Sequence, residues 1–244
     1  MKQKQMIVQS VKRLNETMAE LKLSGIGDAE IAPGTFVNVK VPGRFLRRPI
    51  SVCDIDGDVL TLVFRIVGKG TEDMSNMKPG ETADVLLELG RGYDCSKAGE
   101  KPLLVGGGAG IPPMYYLAKQ LLAQGKEVTV ILGFNTASEQ FYVQEFEALG
   151  AKTIVTTADG SAGVTGFVTD ALPEEFTYFY ACGPLPMEKA LYKKTEAFGE
   201  FSLEERMGCG FGACMGCSME TADGAKRICR DGPVFSREVL LWQD

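Results

Sequence analysis

Two hydrophobic periods divide the chain. Over the first hundred residues the apolar positions come in short runs, several alternating with polar ones, and turn-forming pairs cut the runs apart. Candidate strands are Met6–Arg13, Met18–Leu23, Phe36–Val41, Ile50–Asp54, Val59–Val67 and Thr82–Glu88. Pro33-Gly34, Pro42-Gly43, Asp56-Gly57-Asp58 and Pro79-Gly80 lie between them. Strand-length runs closed by such turns, without long helices, predict an antiparallel barrel. One short helix is expected at Thr71–Lys78, with Thr71 as its N-cap.

Beyond residue 100 the period lengthens. Strands at Pro102–Val105, Val128–Leu132, Thr153–Thr157 and Thr177–Ala181 alternate with helices at Pro113–Gln124, Glu139–Leu149, near Gly166–Ala171, and at Leu185–Phe198. That alternation predicts a parallel, doubly wound sheet, with ligands bound at the carboxyl ends of its strands. The expected class is therefore mixed β and α/β. An antiparallel barrel over residues 1–100 precedes a nucleotide-binding α/β domain over 101–200 and a short segment over 201–244.

That last segment holds four of the seven cysteines, Cys209, Cys214, Cys217 and Cys229, spaced C-x4-C-x2-C-x11-C. The first two intervals are those of plant-type [2Fe-2S] ligation, in which four thiolates complete two tetrahedral irons. Gly208, Gly210, Gly212 and Gly216 let such a loop wrap a small cluster and turn its amides toward sulfur. Structural zinc and unligated or disulfide-bonded thiols are the alternatives. All-cysteine zinc sites usually pair two short spacings, and only one C-x2-C is present. The segment is too short for a core of its own, so it must lean on what precedes it or on another chain.

Three other stretches carry candidate chemistry. In Arg48-Pro49-Ile50-Ser51 a guanidinium can pair with phosphate and a hydroxyl can reach a ring nitrogen. In Arg65-Ile66-Val67-Gly68-Lys69-Gly70-Thr71 the glycines let amides approach phosphate. Each alone also reads as a solvated basic spot or a hairpin turn. Gly106 to Gly110, with Gly107, Gly108 and Gly110 foremost, stands where a strand runs into a helix, a position suited to pyrophosphate. It is not G-x-G-x-x-G, and Gly133-Phe134-Asn135-Thr136 supplies neither an acid for a ribose nor a cation for a 2′-phosphate, a weak preference for NAD over NADP. Cys182-Gly183-Pro184 ends a strand. Its thiol is either an ordinary buried one or a small neighbour for a flat nicotinamide ring.

Composition narrows the classes. The chain has 244 residues, a net charge of −6 and no histidine. Acidity argues against nucleic-acid binding, and the missing imidazole excludes His-based acid–base catalysis, triads and His-ligated metals. Met1-Lys-Gln-Lys-Gln-Met opens no signal peptide, and the apolar run Leu103–Ala123 is broken by glycines, prolines and Lys119. Clustered cysteines without a secretory leader point to a reducing cytoplasm, with no membrane span.

In this order, Arg48-Pro-Ile-Ser51, Gly106–Gly110 and Cys182-Gly-Pro184 resemble the ferredoxin–NADP reductase superfamily over about residues 5 to 200. With the cysteine segment and Asp231-Gly-Pro-Val-Phe235, the whole chain resembles the electron-transfer subunits of class 1B, NAD-linked dihydroorotate dehydrogenases. The resemblance implies FAD, a [2Fe-2S] cluster and NAD as cofactors. Arg48 would contact FAD phosphate, Pro49 and Ile50 would flank it, and Ser51 would sit near the reactive flavin nitrogen. Arg65, Ile66, Val67, Gly70 and Thr71 would line the rest. Gly107, Gly108 and Gly110 would face the dinucleotide, with Cys182 as the catalytic-site neighbour of its ring. Ile50 departs from the superfamily, which often has an aromatic ring there. The implied partner is an FMN-containing dihydroorotate dehydrogenase catalytic subunit, two of each chain forming a heterotetramer in pyrimidine (UMP) biosynthesis. Electrons would run from that FMN through the cluster and FAD to NAD+. A subunit of an NAD(P)H–ferredoxin oxidoreductase or a sulfide dehydrogenase of the same build is the alternative.

Overall fold

The computed structural model describes residues 1–242; the final two positions of the C-terminal segment lie outside the described residues. Strands β1 (Lys2–Arg13), β2 (Met18–Ser24), β3 (Phe36–Val39), β4 (Arg48–Asp56), β5 (Val59–Arg65) and β6 (Thr82–Leu89) close into a barrel in the order β1-β2-β5-β4-β3-β6. Every pairing is antiparallel. Alternate residues such as Leu21, Leu23, Val37, Val39, Leu60, Leu62, Val85 and Leu87 fill the interior, and closure leaves no free edge. β1 begins at Lys2 rather than Met6. Its polar start carries no hydrophobic signal, yet Gln3 pairs with Leu86 and its amide donates to Asp84 at 2.9 and 3.0 Å. Helix α1 (Lys69–Ser75) puts Thr71 inside the first turn and not at the N-cap. Its hydroxyl caps from there, accepting the Val67 and Gly68 amides at 3.0 and 3.3 Å.

The second unit contains β7 (Leu103–Gly107), α2 (Ile111–Ala123), β8 (Thr129–Phe134), α3 (Val143–Leu149), β9 (Lys152–Thr157), β10 (Val164–Thr165), β11 (Phe179–Cys182), α4 (Leu185–Lys194) and β12 (Gly199–Ser202). The C-terminal segment adds β13 (Ser218–Thr221), β14 (Gly224–Arg227), α5 (Ile228–Asp231) and β15 (Val234–Ser236). The sheet runs β10-β9-β8-β7-β11-β12-β15, parallel except for β15. From β7 the chain winds first toward β8 and then back to β11, so the switch point lies beside Gly107 and Cys182.

Three expectations about helices change. α3 starts at Val143, because Tyr142 takes φ +65° and its hydroxyl donates 2.7 Å to Glu20 of the barrel. A tertiary contact thus ends what the local pattern would continue. The helix expected near Gly166–Ala171 is one 3-10 turn, Val168–Asp170. α4 stops at Lys194, and the next residues form β12, a strand too short and too polar at Glu200 to stand out.

The barrel and the sheet are joined by polar contacts. Lys119 of α2 reaches Asp54 at 2.8 Å and the Ile55 carbonyl at 3.0 Å, and Asn15 donates to the Glu139 carbonyl at 2.8 Å. The C-terminal segment is stitched to both units. β15 pairs with β12, Leu203 donates to the Pro233 carbonyl at 2.9 Å, and Asn38 of β3 donates to the Cys209 carbonyl at 3.2 Å. Arg237 stacks 4.3 Å over the Tyr192 ring of α4.

Phe201 of β12 sits at this junction, with its ring centre 5.1 Å from Phe179 and 5.2 Å from Trp242. Phe201→Ala is expected to cost about 3–5 kcal/mol in denaturant unfolding. Trp242 is the single tryptophan. Its emission should shift to the red in the folded variant as the ring loses its packing.

Candidate functional site

The four C-terminal cysteines come together as two pairs. The Cys214 amide donates to Cys209 Sγ at 3.4 Å, the Ala213 amide to the same sulfur at 3.2 Å, and the Cys209 amide to Cys214 Sγ at 3.5 Å. The Cys229 amide donates to Cys217 Sγ at 3.4 Å. Burial pushes the Cys209 thiol up, but amide donors from Cys214, Phe211 and Ala213 outweigh it and bring it to about 6. Cys229 is pushed up to about 12 by burial and by Cys217, with Cys209 adding to the effect. Among the described residues no three metal-binding side chains gather as they would around one ion. Two thiol pairs joined by sulfur-directed amides fit a two-iron, sulfide-bridged group better than one tetrahedral zinc. Gly210 makes the docking possible. It has φ +76°, and a Cβ there would fall 2.0 Å from Asn38 Nδ2.

On the barrel, Arg48, Pro49, Ile50 and Ser51 lie in the first half of β4, not before it, opposite Val39, Asn38, Val37 and Phe36. The Arg48 guanidinium crosses onto α1, where a Gly70 Cβ would stand 2.1 Å from its Nε. The fold thereby brings together the two stretches that were weak separately. Arg47 is spent on Asp84 at 2.9 Å and Arg44 on Asp73 at 2.7 Å, whereas among the described residues Arg48 makes no ion pair and donates only to the Leu46 and Arg47 carbonyls. Ile66 is half-buried, and Arg65 and Val67 are exposed beside α1. A cavity of about 710 Å3 opens between residues 41–44 and the far half of α1; neither Arg48 nor Gly70 lines it.

Across the interface, Gly107 ends β7, and Gly108 turns with φ +51°. Gly110 is a packing glycine: its Cβ would overlap the Cys182 carbonyl at 2.1 Å. The glycine turn and Cys182 are therefore in contact, and the turn also packs against β5 of the barrel. Cys182 is buried, and burial holds its thiol well above the usual range, so it is a neutral, compact neighbour and not a nucleophile.

Two acids here carried no sequence signal. Glu204 follows β12 and is open to solvent on its outer side. Its neighbours crowd it enough that burial raises its pKa, an effect Arg65 opposes. Glu188, in the first turn of α4, is only 1% exposed, and its Oε1 has no partner. Burial, then Glu204, raises its pKa well above 4.5, so it is held neutral.

A closed antiparallel barrel joined to a doubly wound parallel sheet, with a glycine turn at its switch point and a four-cysteine segment docked on both, defines a reductase of the ferredoxin-reductase type with an added iron–sulfur segment. The model for the iron-sulfur cluster binding domain of dihydroorotate dehydrogenase B matches residues 204–241. That for the oxidoreductase NAD-binding domain matches residues 104–193. The electron transfer subunit of dihydroorotate dehydrogenase B (NAD(+)) from Geobacillus sp. (strain WCH70) is 48% identical over 99% of this chain and 100% of its own. The one from Lysinibacillus sphaericus (strain C3-41) is 44% identical over 97% of each. The structure of an NADH-dependent reduced ferredoxin-NADP oxidoreductase superimposes with a TM-score of 0.87 at 31% identity, over 97% of this chain and 90% of that one. A ferredoxin NADP+ reductase from Neisseria gonorrhoeae, at 17% identity, 80% and 90% coverage and a TM-score of 0.68, shares the fold. The chain belongs to the family of dihydroorotate dehydrogenase B electron transfer subunits.

Glu188 generates a pH prediction. Below about pH 4.5 folded and unfolded chains both keep this proton. Above it the unfolded chain releases the proton and the folded one retains it, so stability falls as pH rises toward the folded pKa. Glu188→Met should therefore be more stable than the parent by on the order of 1–3 kcal/mol at pH 8, with a smaller gain at pH 4. Urea unfolding at the two pH values measures the difference.

Proposed function

We propose that this chain returns electrons taken from dihydroorotate by a separate catalytic subunit to NAD+, as an iron–sulfur flavoprotein oxidoreductase subunit of pyrimidine biosynthesis. The observation that carries the reading is the junction of three sites. The paired thiols dock on β3 through Asn38, which lies opposite Pro49; Arg48, next in that strand, meets Gly70, and the glycine turn touches both Cys182 and β5 of the barrel. When bound, a flavin exchanges electrons singly or as hydride, which lets a one-electron iron–sulfur centre communicate with a nicotinamide.

The residues divide the work. Cys209, Cys214, Cys217 and Cys229 hold a [2Fe-2S] cluster, and the amides of Ala213, Cys214 and Cys229 stabilise negative charge at the sulfurs. Arg48 binds FAD phosphate, and Ser51 presents its hydroxyl to the flavin ring. Pro49 and Ile50 form the strand wall beside it, and Arg65, Ile66, Val67, Gly70 and Thr71 form the opposite side. Gly107, Gly108 and Gly110 receive the dinucleotide at the strand ends. Cys182 keeps the floor of that pocket small, apolar and uncharged. No residue of this chain has to act as a base on dihydroorotate, in keeping with a chain that has no histidine.

The family name implies a catalytic partner, and we place its FMN-bearing face against the cluster segment, in a heterotetramer of two of each chain. Phe211 and Met215, in the cysteine loop, are 46% and 59% exposed. Two large apolar side chains exposed on the cysteine loop fit a protein interface. Among the described residues no helix is long and apolar enough to cross a membrane. A cytoplasmic setting follows from the clustered thiols. The 48% relative favours the dihydroorotate reading over the alternative of a ferredoxin oxidoreductase subunit, represented by the 31% structure.

The test is reconstitution with the catalytic subunit and measurement of NADH formed from dihydroorotate. Cys214→Ser should lower bound iron and cut this coupled rate by more than the about 10–100-fold typical of losing an outer-shell metal partner. Oxidation of NADH by an artificial acceptor should persist. A coupled rate unchanged in that variant would refute the proposed route.

A further inference from the structure

The stretch that joins the barrel to the sheet, Gly90-Arg91-Gly92-Tyr93-Asp94, follows β6 directly. A connector between two units is ordinarily exposed and absorbs their relative motion. This one is pinned to all three parts of the chain. The Arg91 amide donates to the Gly232 carbonyl of the C-terminal segment at 2.5 Å, and Arg91 bridges Pro233. The Tyr93 amide donates to the Pro33 carbonyl of the barrel at 2.9 Å. Gly92 lies so close to that carbonyl that a Cβ would stand 2.3 Å from it. From the sheet, the Tyr180 hydroxyl donates to the Asp94 carbonyl at 2.8 Å.

Tyr93 is the member of this stretch that reaches the site. It is 5% exposed. Its ring fills the notch left by Gly34 of the barrel, where φ is +85° and a Cβ would fall 2.5 Å from Tyr93 Cδ2 and 3.1 Å from Val234 of β15. Its hydroxyl donates to the Ala181 carbonyl of β11 at 2.9 Å. The next residue is Cys182, whose own carbonyl stands against Gly110. One hydroxyl therefore ties the barrel to the strand end on which Cys182 and the glycine turn meet. Burial, with Cys182 and Glu188 adding to it, raises the Tyr93 hydroxyl well above its ordinary value; Ser202 opposes the shift and Glu200 adds a little. The hydroxyl stays protonated and remains a donor.

Hydride exchange between two rings requires close, aligned approach. The residues assigned to the flavin stand on the barrel and those assigned to the dinucleotide on the sheet, so the alignment depends on how the two units are held. We propose that Tyr93 is a positioning residue for this exchange: held on the barrel by its ring and amide, it fixes the Ala181 carbonyl and thereby the place of Cys182 and the glycine turn relative to the flavin-lining face. It acts through Cys182 and takes no part in the chemistry itself. The inference rests on the nucleotide reading of residues 104–193 and on the flavin reading of β4.

Tyr93→Phe keeps the ring in the Gly34 notch and removes only the bond to Ala181. Tyr180→Phe is the matched control. It removes a buried tyrosine–carbonyl bond of the same kind from the same connector without touching the Ala181 carbonyl. The assembled complex, with its flavins and cluster, is mixed with NADH in stopped flow, and flavin bleaching is followed against NADH concentration. That separates NADH affinity from the limiting rate. Long-wavelength charge-transfer absorbance between flavin and nicotinamide reports ring alignment apart from turnover. Tyr93→Phe should keep the parent's NADH affinity, lose about 10–100-fold in limiting rate and show weaker charge-transfer absorbance. Tyr180→Phe should keep all three. Equal losses in the two variants, a loss confined to NADH affinity, or an unchanged limiting rate in Tyr93→Phe would show a structural contribution only and overturn the proposal. If NADH did not bleach the parent's flavin, the nucleotide reading itself would fall, and this inference with it.

Discussion

A segment too small to fold alone is held in place by two larger units, and the rest of the molecule depends on that docking. β15 completes the edge of the parallel sheet, while Asn38 of the barrel clasps the Cys209 carbonyl. Neither contact is strong alone. A backbone pairing of three residues and one amide bond contribute about 1 kcal/mol per hydrogen bond. Together with Arg237 on Tyr192 and the aromatic stack around Phe201 they fix the position of four thiols. Electron exchange falls off steeply with separation, so a cysteine loop that drifted from the barrel would lose its purpose while keeping its ligands.

The same junction explains the placement of unusual residues. Glu188 is buried with one carboxyl oxygen unpartnered, Glu204 is crowded, and Cys182 is held neutral, all within the corner made by the ends of β11 and β12. Glu188 is a cost to stability, and such costs gather where a site must be shaped rather than merely packed. Glycines serve a parallel purpose. Gly70 admits Arg48, Gly110 admits the Cys182 carbonyl, and Gly210 admits Asn38, so that three separate stretches of chain meet at contact distance.

Much of this was legible in the residues. Barrel strands announced themselves by alternation and turns, the sheet by its change of period, and the cluster by cysteine spacing. What escaped had a physical reason. β12 and β15 are short strands whose burial comes from long-range pairing, which no local period records. The start of α3 was misjudged because Tyr142 obeys a contact with Glu20 across the domain seam. Arg48 and Gly70 looked like a basic spot and a turn, and only the closed barrel shows them touching.

The central claim is that the paired thiols hold two bridged irons in this docked position. Iron, acid-labile sulfide and zinc measured on protein purified without oxygen address it most directly. The account predicts about two irons and two sulfides per chain, with little zinc. One zinc per chain without sulfide would contradict it, because a single ion would require the four thiols to converge on one point.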